Sequence, residues 1–339
     1  MSNVVRIGLL GAARIAPAAL IYPARRIPEV SVVALAARDP ARARAFAKKH
    51  GIARVHETYD ALIDDAEMDA VYNPLPNSLH AVWSIRALKA GKHVLCEKPV
   101  ASNAEEAVQM ASVAEETGLV LAEAFHYRYH PLAARIKEIV DSGELGTVRH
   151  YEAHFCIPLV LPGNIRYRYD LAGGATMDLG CYTINLIRYL AGAEPEVVCA
   201  RARRSSPQVD RCMSAELRFS DGRTGRIFCS LFSSVLLRAS ASVRGDGGEL
   251  RVWNPFMTHL SHRITVRGPR GARVEKIPGE TTYTYQLRAF VKAVRGEAPM
   301  PTGPADAIAN MRVIDAVYEK AGLTRRGKSV AGHHSRKFG

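Results

Sequence analysis

The first 125 residues alternate short apolar runs with amphipathic stretches, and this alternation limits the possible folds more than any other feature. The apolar runs predict six strands, at 4–10, 30–37, 54–56, 68–73, 93–97 and 119–125. Helical patterns separate them, at 14–26, 40–50, 59–63, 78–90 and 103–117. Continuous apolar strands joined by helices are typical of a parallel sheet covered on both faces. The N-terminal part is therefore predicted to be an α/β domain with a doubly wound (Rossmann) parallel sheet.

The pattern changes after about residue 125. Strand-like stretches follow one another from 197 to 277, separated by Gly-Asp-Gly and Gly-Pro turns. They predict a C-terminal α+β domain with a large, open, mainly antiparallel sheet. Helical spacing near 284–322 predicts helices that return toward the first domain. We place the dinucleotide-binding domain at 1–124 and the substrate and oligomerisation domain at 125–326. Residues 327–339 are predicted to form a disordered tail.

Composition restricts the function classes. The chain has 339 residues, 47% of them hydrophobic, and its six cysteines form no CxxC pair. This usage argues against a structural zinc or a disulfide framework, and it favours a reducing compartment, the cytoplasm. No apolar stretch approaches the roughly 20 residues that a membrane span needs. We expect no metal and no membrane partner.

The formal net charge of +13 raises the question of nucleic-acid binding. The candidate patches are the basic runs at 201–204 and 325–337. The alternative is a solvated basic surface, because no aromatic residues interleave with these runs as a base-stacking groove requires. We expect no nucleic-acid partner, and a basic chain also attracts anionic dinucleotides.

A small-residue turn, Gly8-Leu9-Leu10-Gly11-Ala12-Ala13-Arg14-Ile15-Ala16, joins the first strand to the first helix. In Gly11-x-Ala13-x-x-Ala16 the glycine permits a tight turn, and the small residues let the backbone approach a pyrophosphate. The helix N-terminus offers free N–H groups to that phosphate. A purely structural turn is the alternative, since alanine replaces two of the usual glycines. The predicted cofactor contacts here are Gly8, Gly11, Ala13, Arg14 and Ile15.

The end of the second strand distinguishes between the two nicotinamide cofactors. An acidic residue there bonds the ribose 2′-hydroxyl of NAD, whereas this chain has Ala36-Ala37-Arg38-Asp39. Ala37 leaves room for a 2′-phosphate, and Arg38 can form a charge-assisted fork with it. NADP is therefore favoured, with NAD possible. Asp39 either reaches the ribose or caps the helix that begins at Pro40.

The motifs of the whole chain together resemble the Gfo/Idh/MocA oxidoreductase family. Besides the Gly11 turn they are Pro76-Asn77-x-x-His80, Glu97-Lys98-Pro99, Glu123-Ala124-Phe125, Tyr127-Arg128-Tyr129-His130-Pro131, Gly173-Gly174-x-x-Met177-Asp178-x-Gly180-x-Tyr182 and Asn310-Met311-Arg312-Val313-Ile314-Asp315-Ala316. Many members have His at the position of Tyr182, so the chain resembles the tyrosine branch, which includes glucose-fructose oxidoreductase, dimeric dihydrodiol dehydrogenase and NADP-dependent xylose dehydrogenases. Ala175 stands where a third glycine is usual.

The resemblance implies hydride transfer between NADP(H) and a sugar, polyol or cyclic vicinal diol. It places Lys98 beside the nicotinamide, with Asp178 and Tyr182 completing the site. Further cofactor contacts are implied for Pro74, Leu75, Asn77, His80, Glu97 and Lys98. Within the family, a trans-dihydrodiol dehydrogenase and a keto-sugar reductase are alternatives. A catalytically silent NADPH-binding regulator is the alternative from another class.

The residue chemistry agrees with these roles. Asp178 and Tyr182 are four residues apart on a predicted helix, so they project from one face. Free tyrosine, with a pKa of about 10, is a poor base near neutrality. We expect the Lys98 ammonium to lower that pKa, with Tyr182 as proton donor or acceptor and Asp178 as the orienting group. Taken singly, each residue could instead be a surface lysine, a capping aspartate or a core tyrosine.

Several polar residues are predicted to line the substrate cavity. They either follow the sixth strand or flank the Gly173-Gly174 pair and the returning helix: His126, Tyr127, Arg128, Arg168 and Tyr285. Arg166 and Tyr167 are further candidates beside Arg168, and Tyr283 is the alternative to Tyr285. Any one of these residues could instead be structural, and for His126 a role in the site and a role in packing are equally open. Aromatic faces and hydrogen-bonding tips suit a polyhydroxylated or cyclic substrate. The open sheet face of this substrate and oligomerisation domain predicts a homodimer or homotetramer.

Overall fold

The computed structural model describes residues 4–161, 163–269 and 271–327. Its N-terminal half contains six parallel strands in the order β3-β2-β1-β4-β5-β6, the doubly wound arrangement that the sequence predicted. The strands are β1 (Val5–Leu10), β2 (Val30–Ala36), β3 (Arg54–His56), β4 (Ala70–Asn73), β5 (His93–Cys96) and β6 (Leu121–Glu123). The order reverses at β1, so the carboxyl ends of β1 and β4 flank the crevice in which such sheets bind ligands.

Helices cover both faces of this sheet. They are α1 (Tyr22–Ala24), α2 (Pro40–His50), α3 (Tyr59–Ile63), α4 (His80–Lys89) and α5 (Ala104–Thr117). The helix predicted over 14–26 is shorter than expected, with a π-turn at Pro17–Ile21 before α1. Pro23 has no N–H to donate to the carbonyl of Ala19, so a regular α-helix cannot continue there.

The second half contains an eight-stranded sheet in the order β14-β13-β12-β11-β7-β10-β9-β8. Its neighbours are antiparallel except for the parallel pair of β7 and β10. The strands are β7 (Val148–Cys156), β8 (Glu196–Ser206), β9 (Val209–Arg218), β10 (Thr224–Ser230), β11 (Arg238–Gly245), β12 (Glu249–Trp253), β13 (Arg263–Gly268) and β14 (Gly271–Glu275). The predicted mixed fold class is confirmed.

The two faces of the large sheet differ in chemistry. Along β7 the side chains of Tyr151, Ala153 and Phe155 are buried in the core, on the face that contacts the helix α7 (Cys181–Ala191). The alternating residue Glu152 lies on the other face, where it approaches His154 and, across the β7–β11 pair, Arg244. Among the described residues, the helix that packs along β7 is α7, and it lies on the core face. The sheet therefore has one core face and one charged face.

Three further helices belong to the second half, and the last two of them contact the first half. They are α6 (Pro131–Asp141), α8 (Thr282–Val294) and α9 (Pro304–Lys320). Helix α8 packs against Pro17–Ile21, and its Leu287 and Phe290 belong to the core of the nucleotide-binding half. Helix α9 packs against α5 and α7. The helix that carries Tyr182 is thus braced by elements of both halves.

No helix of the described residues is long and apolar enough to cross a bilayer. Within the same residues, no group of three or more His, Cys, Asp or Glu side chains is placed to hold a metal ion. The predicted disordered tail lies outside the described residues from position 328 onward. Of the basic run at 325–337, Arg326 is fully buried, so this residue cannot contribute to a nucleic-acid patch.

Candidate active site

The turn after β1 requires glycine at one position. Gly11 has φ +86°, and a Cβ atom there would lie 3.0 Å from the Leu75 side chain. The backbone can therefore pass close to Leu75, which follows β4, only without a side chain at Gly11. Arg14 and Ile15 are exposed directly after this turn. The arrangement leaves an accessible backbone cradle at the crevice, which fits the pyrophosphate of a dinucleotide.

Gly8 has a different role from the one predicted. It lies inside β1, where an added Cβ would meet Met68 Sδ at 2.4 Å and Leu62 Cδ2 at 2.8 Å. The absence of a side chain at Gly8 allows Leu62 of α3 and Met68 to pack tightly on the sheet, so the structure shows a packing role for this residue.

The end of β2 fits a 2′-phosphate. The Asp39 carboxylate accepts hydrogen bonds from the backbone N–H groups of Ala41 and Arg42, so it caps α2. Of the two roles left open for Asp39, the structure shows the cap. Arg38 is exposed beside the cradle, and Arg42 donates to the carbonyl of Ala12 at 2.8 Å. Arg38 and Arg42 thus follow the carboxyl end of β2, and the Asp39 carboxylate between them is engaged in capping α2.

The segment after β4 connects the two halves of the site. Pro74 is half-buried at its start, and Asn77 donates to the carbonyl of Ala172 at 3.0 Å. His80 is fully buried, and its two ring nitrogens lie 2.7 Å and 2.8 Å from the carbonyls of Leu75 and Pro99. The predicted cofactor contact of His80 is corrected: it positions the backbone around the cradle and around Lys98, since burial removes it from the crevice.

Lys98 follows the carboxyl end of β5, as predicted. Its Nζ donates to the backbone carbonyl of Asp178 at 3.0 Å and lies 3.4 Å from Asp178 Oδ1. Burial opposes the charged form of Lys98, but the Asp178 carboxylate outweighs this effect and raises the pKa of the ammonium. The neighbouring Glu97 is fixed by a 2.6 Å hydrogen bond from Tyr72, and burial raises its pKa. Lys98 is therefore a positively charged group throughout the neutral range.

Asp178 lies between two cations. Arg166 Nε lies 2.7 Å from Asp178 Oδ2, opposite the contact with Lys98. Although burial favours the neutral acid, Lys98 and Arg166 hold the pKa of Asp178 below its usual range. The predicted substrate residue Arg168 pairs instead with Asp170 and is about half exposed. Arg166, two residues earlier, is the arginine that reaches the site.

Tyr182 and Lys98 converge. Lys98 Nζ lies 5.0 Å from the centroid of the Tyr182 ring, over its face. The side chains reach each other because a π-turn at Thr176–Gly180 leads directly into α7 and holds Asp178 and Tyr182 on the side of Lys98. Such turns occur frequently at functional sites. The convergence of an ammonium and a phenol is the geometry that the sequence predicted.

The protonation state of Tyr182 differs from the prediction. Burial raises its pKa well above 10, and Tyr283 and Glu97 contribute in the same direction. Burial dominates the pKa of Tyr182, while the Lys98 ammonium lies over the ring and is paired with Asp178. Tyr182 is thus a protonated phenol at rest, ready to donate a proton.

Aromatic rings enclose the phenol. His126 Nε2 lies 3.1 Å from the Tyr182 hydroxyl, and the ring of Tyr283 lies 4.2 Å from that of His126. Phe155 and Phe256 contact the Tyr182 ring at 5.4 Å and 5.5 Å between centroids. The structure thus places His126 beside the Tyr182 hydroxyl, and of the two candidates Tyr283 and Tyr285 it is Tyr283 that packs against His126.

Of the three other predicted substrate residues, Tyr127 lies beside the Tyr182 ring, at 6.0 Å between centroids, whereas Arg128 and Tyr285 contact other groups. Tyr127 is buried and donates to Asn185 at 2.6 Å. Arg128 stacks on Tyr189 at 3.9 Å. Tyr285 packs against His130 on the opposite side of α8 from Tyr283. All three stabilise the packing of helices, and no sequence signal separates them from cavity residues.

Comparison with known proteins gives matches over nearly the whole chain. Residues 5–125 match the family model described as "Oxidoreductase family, NAD-binding Rossmann fold". Residues 133–251 match the model described as "GFO/IDH/MocA C-terminal domain". The two matched segments contain Lys98 in the first and Asp178 and Tyr182 in the second.

Named relatives act on sugars. The chain is 36% identical to D-xylose 1-dehydrogenase (NADP(+)) 2 of Haloferax volcanii, over 93% of this chain and 96% of the relative. It is 36% identical to dTDP-3,4-didehydro-2,6-dideoxy-alpha-D-glucose 3-reductase of Streptomyces violaceoruber, over 95% and 96%. The 3-ketoreductase KijD10 of Actinomadura kijaniata, solved with NADP and TDP-benzene, superposes with a TM-score of 0.88 at 31% identity, over 94% and 98% of the two chains.

Proposed function

This chain belongs to the Gfo/Idh/MocA family of oxidoreductases, and we propose that it transfers a hydride between NADP(H) and a carbon of a sugar, polyol or cyclic vicinal diol, with Lys98 and Tyr182 handling the proton. The observation that carries the proposal is the convergence of the Lys98 ammonium on the Tyr182 ring at the carboxyl edge of the parallel sheet. NADP supplies or accepts the hydride when bound. The residues of this chain bind and orient the substrate and exchange a proton with its oxygen.

Each site residue has a distinct part. Lys98, kept charged by Asp178, stabilises negative charge as it develops on the substrate oxygen. Arg166 holds the second oxygen of Asp178, so the carboxylate cannot swing away from Lys98. Tyr182 donates its proton to that oxygen when a ketone is reduced, and it receives a proton when an alcohol is oxidised. The protonated resting phenol is the form that donates a proton to a keto oxygen.

The first test uses purified protein and a substrate panel. NADPH formation or consumption is followed with aldoses, polyols, cyclic vicinal diols and keto-sugar nucleotides. We expect turnover with at least one member and with NADP(H). Tight NADPH binding without turnover of any member would contradict the proposal and favour a silent regulator.

Arg38 provides a test of cofactor choice. We expect Arg38→Ala to weaken NADPH binding by about 10- to 150-fold, because one charge-assisted phosphate contact contributes roughly 1.5–3 kcal/mol. NADH binding is expected to change little. Fluorescence titration of both cofactors measures this, with the exposed Arg44 of α2 replaced in a control variant. An equal loss for NADH would show that Arg38 does not read the 2′-phosphate.

We also propose a cytoplasmic homodimer or homotetramer. The charged face of the eight-stranded sheet supports the assembly, because its cross-strand rows offer a self-complementary surface to a second copy. The free cysteines of the described chain agree with a reducing compartment. Light scattering on the purified protein is expected to give two or four copies, and a monomer at micromolar concentration would contradict this assembly.

A further inference from the structure

A buried chain of hydrogen bonds runs from the Tyr182 hydroxyl away from Lys98. The hydroxyl lies 3.1 Å from His126 Nε2, and His126 Nδ1 lies 2.8 Å from Thr282 Oγ1. Thr282 Oγ1 in turn lies 3.2 Å from His259 Nδ1. The four groups come from α7, the segment after β6, the first turn of α8 and the loop after β12. The chain thus joins elements that are distant in the sequence.

The interior of this chain is dry and its end approaches solvent. Tyr182, His126 and Thr282 are 6%, 1% and 0% exposed, whereas His259 is half-buried next to the exposed Leu260. Each group has one proton to give and one lone pair to receive, which is what transfer along a chain requires.

We propose that His126, Thr282 and His259 form a proton relay that exchanges protons between Tyr182 and solvent. The relay rests on the proposed function, since it needs a reaction in which Tyr182 gains or loses a proton. The three residues act through Tyr182 and are therefore positioning residues. They explain how a buried phenol, unable to remain ionised at neutral pH, is restored after each turnover.

Each group of the relay gains one proton and loses one proton in a turnover. During oxidation the carbinol carbon gives its hydride to NADP+, and the substrate O–H bond breaks as its proton joins Tyr182 Oη. Tyr182 passes its own proton to His126 Nε2, and the Nδ1 proton of His126 moves to Thr282 Oγ1. The former hydroxyl proton of Thr282 then joins His259 Nδ1, and His259 releases one proton to water. Reduction runs the same transfers in reverse, so that the phenol regains the proton it gave to the ketone.

The protonation state of His126 suits a residue that passes protons on. Burial lowers the pKa of His126 to about 3, with His259 and Lys98 acting in the same direction. The ring therefore does not hold an extra proton, and it must give one as it receives one. The Tyr283 ring packs against the imidazole at 4.2 Å between centroids, tilted by 41°.

The experiment removes one hydroxyl at a time. Thr282→Val keeps the side-chain shape and interrupts the relay, and Thr282→Ser keeps the hydroxyl. Thr258→Val is the matched control, because Thr258 Oγ1 is buried in the same loop as His259 and has no hydrogen-bond partner in the described structure. Thermal unfolding of all three variants verifies folding.

Kinetics are measured with the fastest substrate of the panel, in H2O and D2O. We expect Thr282→Val to lower kcat about tenfold or more with KM nearly unchanged, because proton transfer by positioned groups contributes roughly 10²–10⁴-fold. We also expect the multi-proton curvature of the solvent isotope effect to disappear in this variant. Thr282→Ser is expected to restore both, and Thr258→Val to match the wild type. Unchanged kcat and isotope effect in a folded Thr282→Val protein would overturn the relay.

A readout without turnover separates the relay from the proposed function. In ¹⁵N NMR of the histidine-labelled, cofactor-free protein, Thr282→Val is expected to shift the ring nitrogens of both His126 and His259, while Thr258→Val leaves them in place. A His126 ring that titrates near neutrality, or that ignores Thr282→Val, would overturn the relay even if the enzyme is active. Failure of the whole substrate panel with the expected NMR shifts would instead overturn the proposed function.

Discussion

Lys98→Met is expected to lower kcat/KM by about 10³-fold while NADPH binding changes by less than a few-fold. The substitution removes the only cation that lies over the Tyr182 ring among the described residues. Loss of one charge-stabilising donor typically costs 10²–10³-fold, and Asp178 in addition loses one of its two cationic partners. Binding persists because the Gly11 cradle and Arg38 are unchanged. Steady-state rates and cofactor titration measure the two effects separately.

Lys89→Met is the control for this variant. Lys89 is an exposed lysine in the last turn of α4, far along the helix from the site. It is expected to leave kcat/KM within about twofold. A Lys98→Met protein that retains near wild-type turnover would show that the ammonium stabilises structure and does not act in the reaction.

The second large effect is expected at Arg326, where Arg326→Ala should lower the free energy of unfolding by about 3–5 kcal/mol. Its guanidinium is fully buried, donates to the carbonyl of Gly173 at 2.7 Å and pairs with the buried Asp210 at 2.9 Å. Asp210 also accepts hydrogen bonds from Thr176 and Tyr318. Removing the arginine leaves a buried carboxylate without its counter-charge, directly beneath the turn that leads to Asp178.

The adjacent residue offers a matched control. Arg325 is exposed and pairs with Glu319 at 2.9 Å on the surface. Arg325→Ala is expected to cost less than about 1 kcal/mol, as is usual for exposed ion pairs. Urea denaturation of both variants compares them. Equal losses for the two substitutions would mean that the Arg326–Asp210 pair does not anchor the Gly173-Gly174 segment.

Features that depend on local periodicity were predictable from the sequence. The alternation of the first 125 residues predicted the parallel sheet, because strands buried on both faces are continuous apolar runs, whereas amphipathic helices repeat with a period of 3.6. The spacing of Asp178 and Tyr182 likewise predicted their common side, and the position of Lys98 after β5 placed it at the sheet edge. Their convergence therefore followed from elements that the sequence defines.

Features that depend on the direction of a side chain were not predictable. Tyr283 and Tyr285 are two residues apart on α8, so they face opposite sides of the helix, and only tertiary packing decides which side meets His126. The choice between Arg166 and Arg168 depends on a 3₁₀ turn at Ile165–Tyr167 whose orientation no pattern specifies.

The protonation state of Tyr182 and the burial of Arg326 were also not predictable from the sequence. The predicted lowering of the Tyr182 pKa assumed that Lys98 points at the hydroxyl, whereas Nζ turns to Asp178 and the phenol is enclosed by aromatic rings. Burial then dominates and raises the pKa. The buried role of Arg326 could not be found from its basic neighbours, because its partner Asp210 is 116 residues away.

The shared role of Lys98 and Tyr182 is tested by a crystal structure of the protein with NADP and a sugar or diol that the enzyme accepts as substrate. The account predicts that the reacting oxygen of the substrate lies within hydrogen-bond distance of both Lys98 Nζ and Tyr182 Oη. A substrate whose reacting oxygen contacts neither group, while its carbon lies against the nicotinamide, would contradict it.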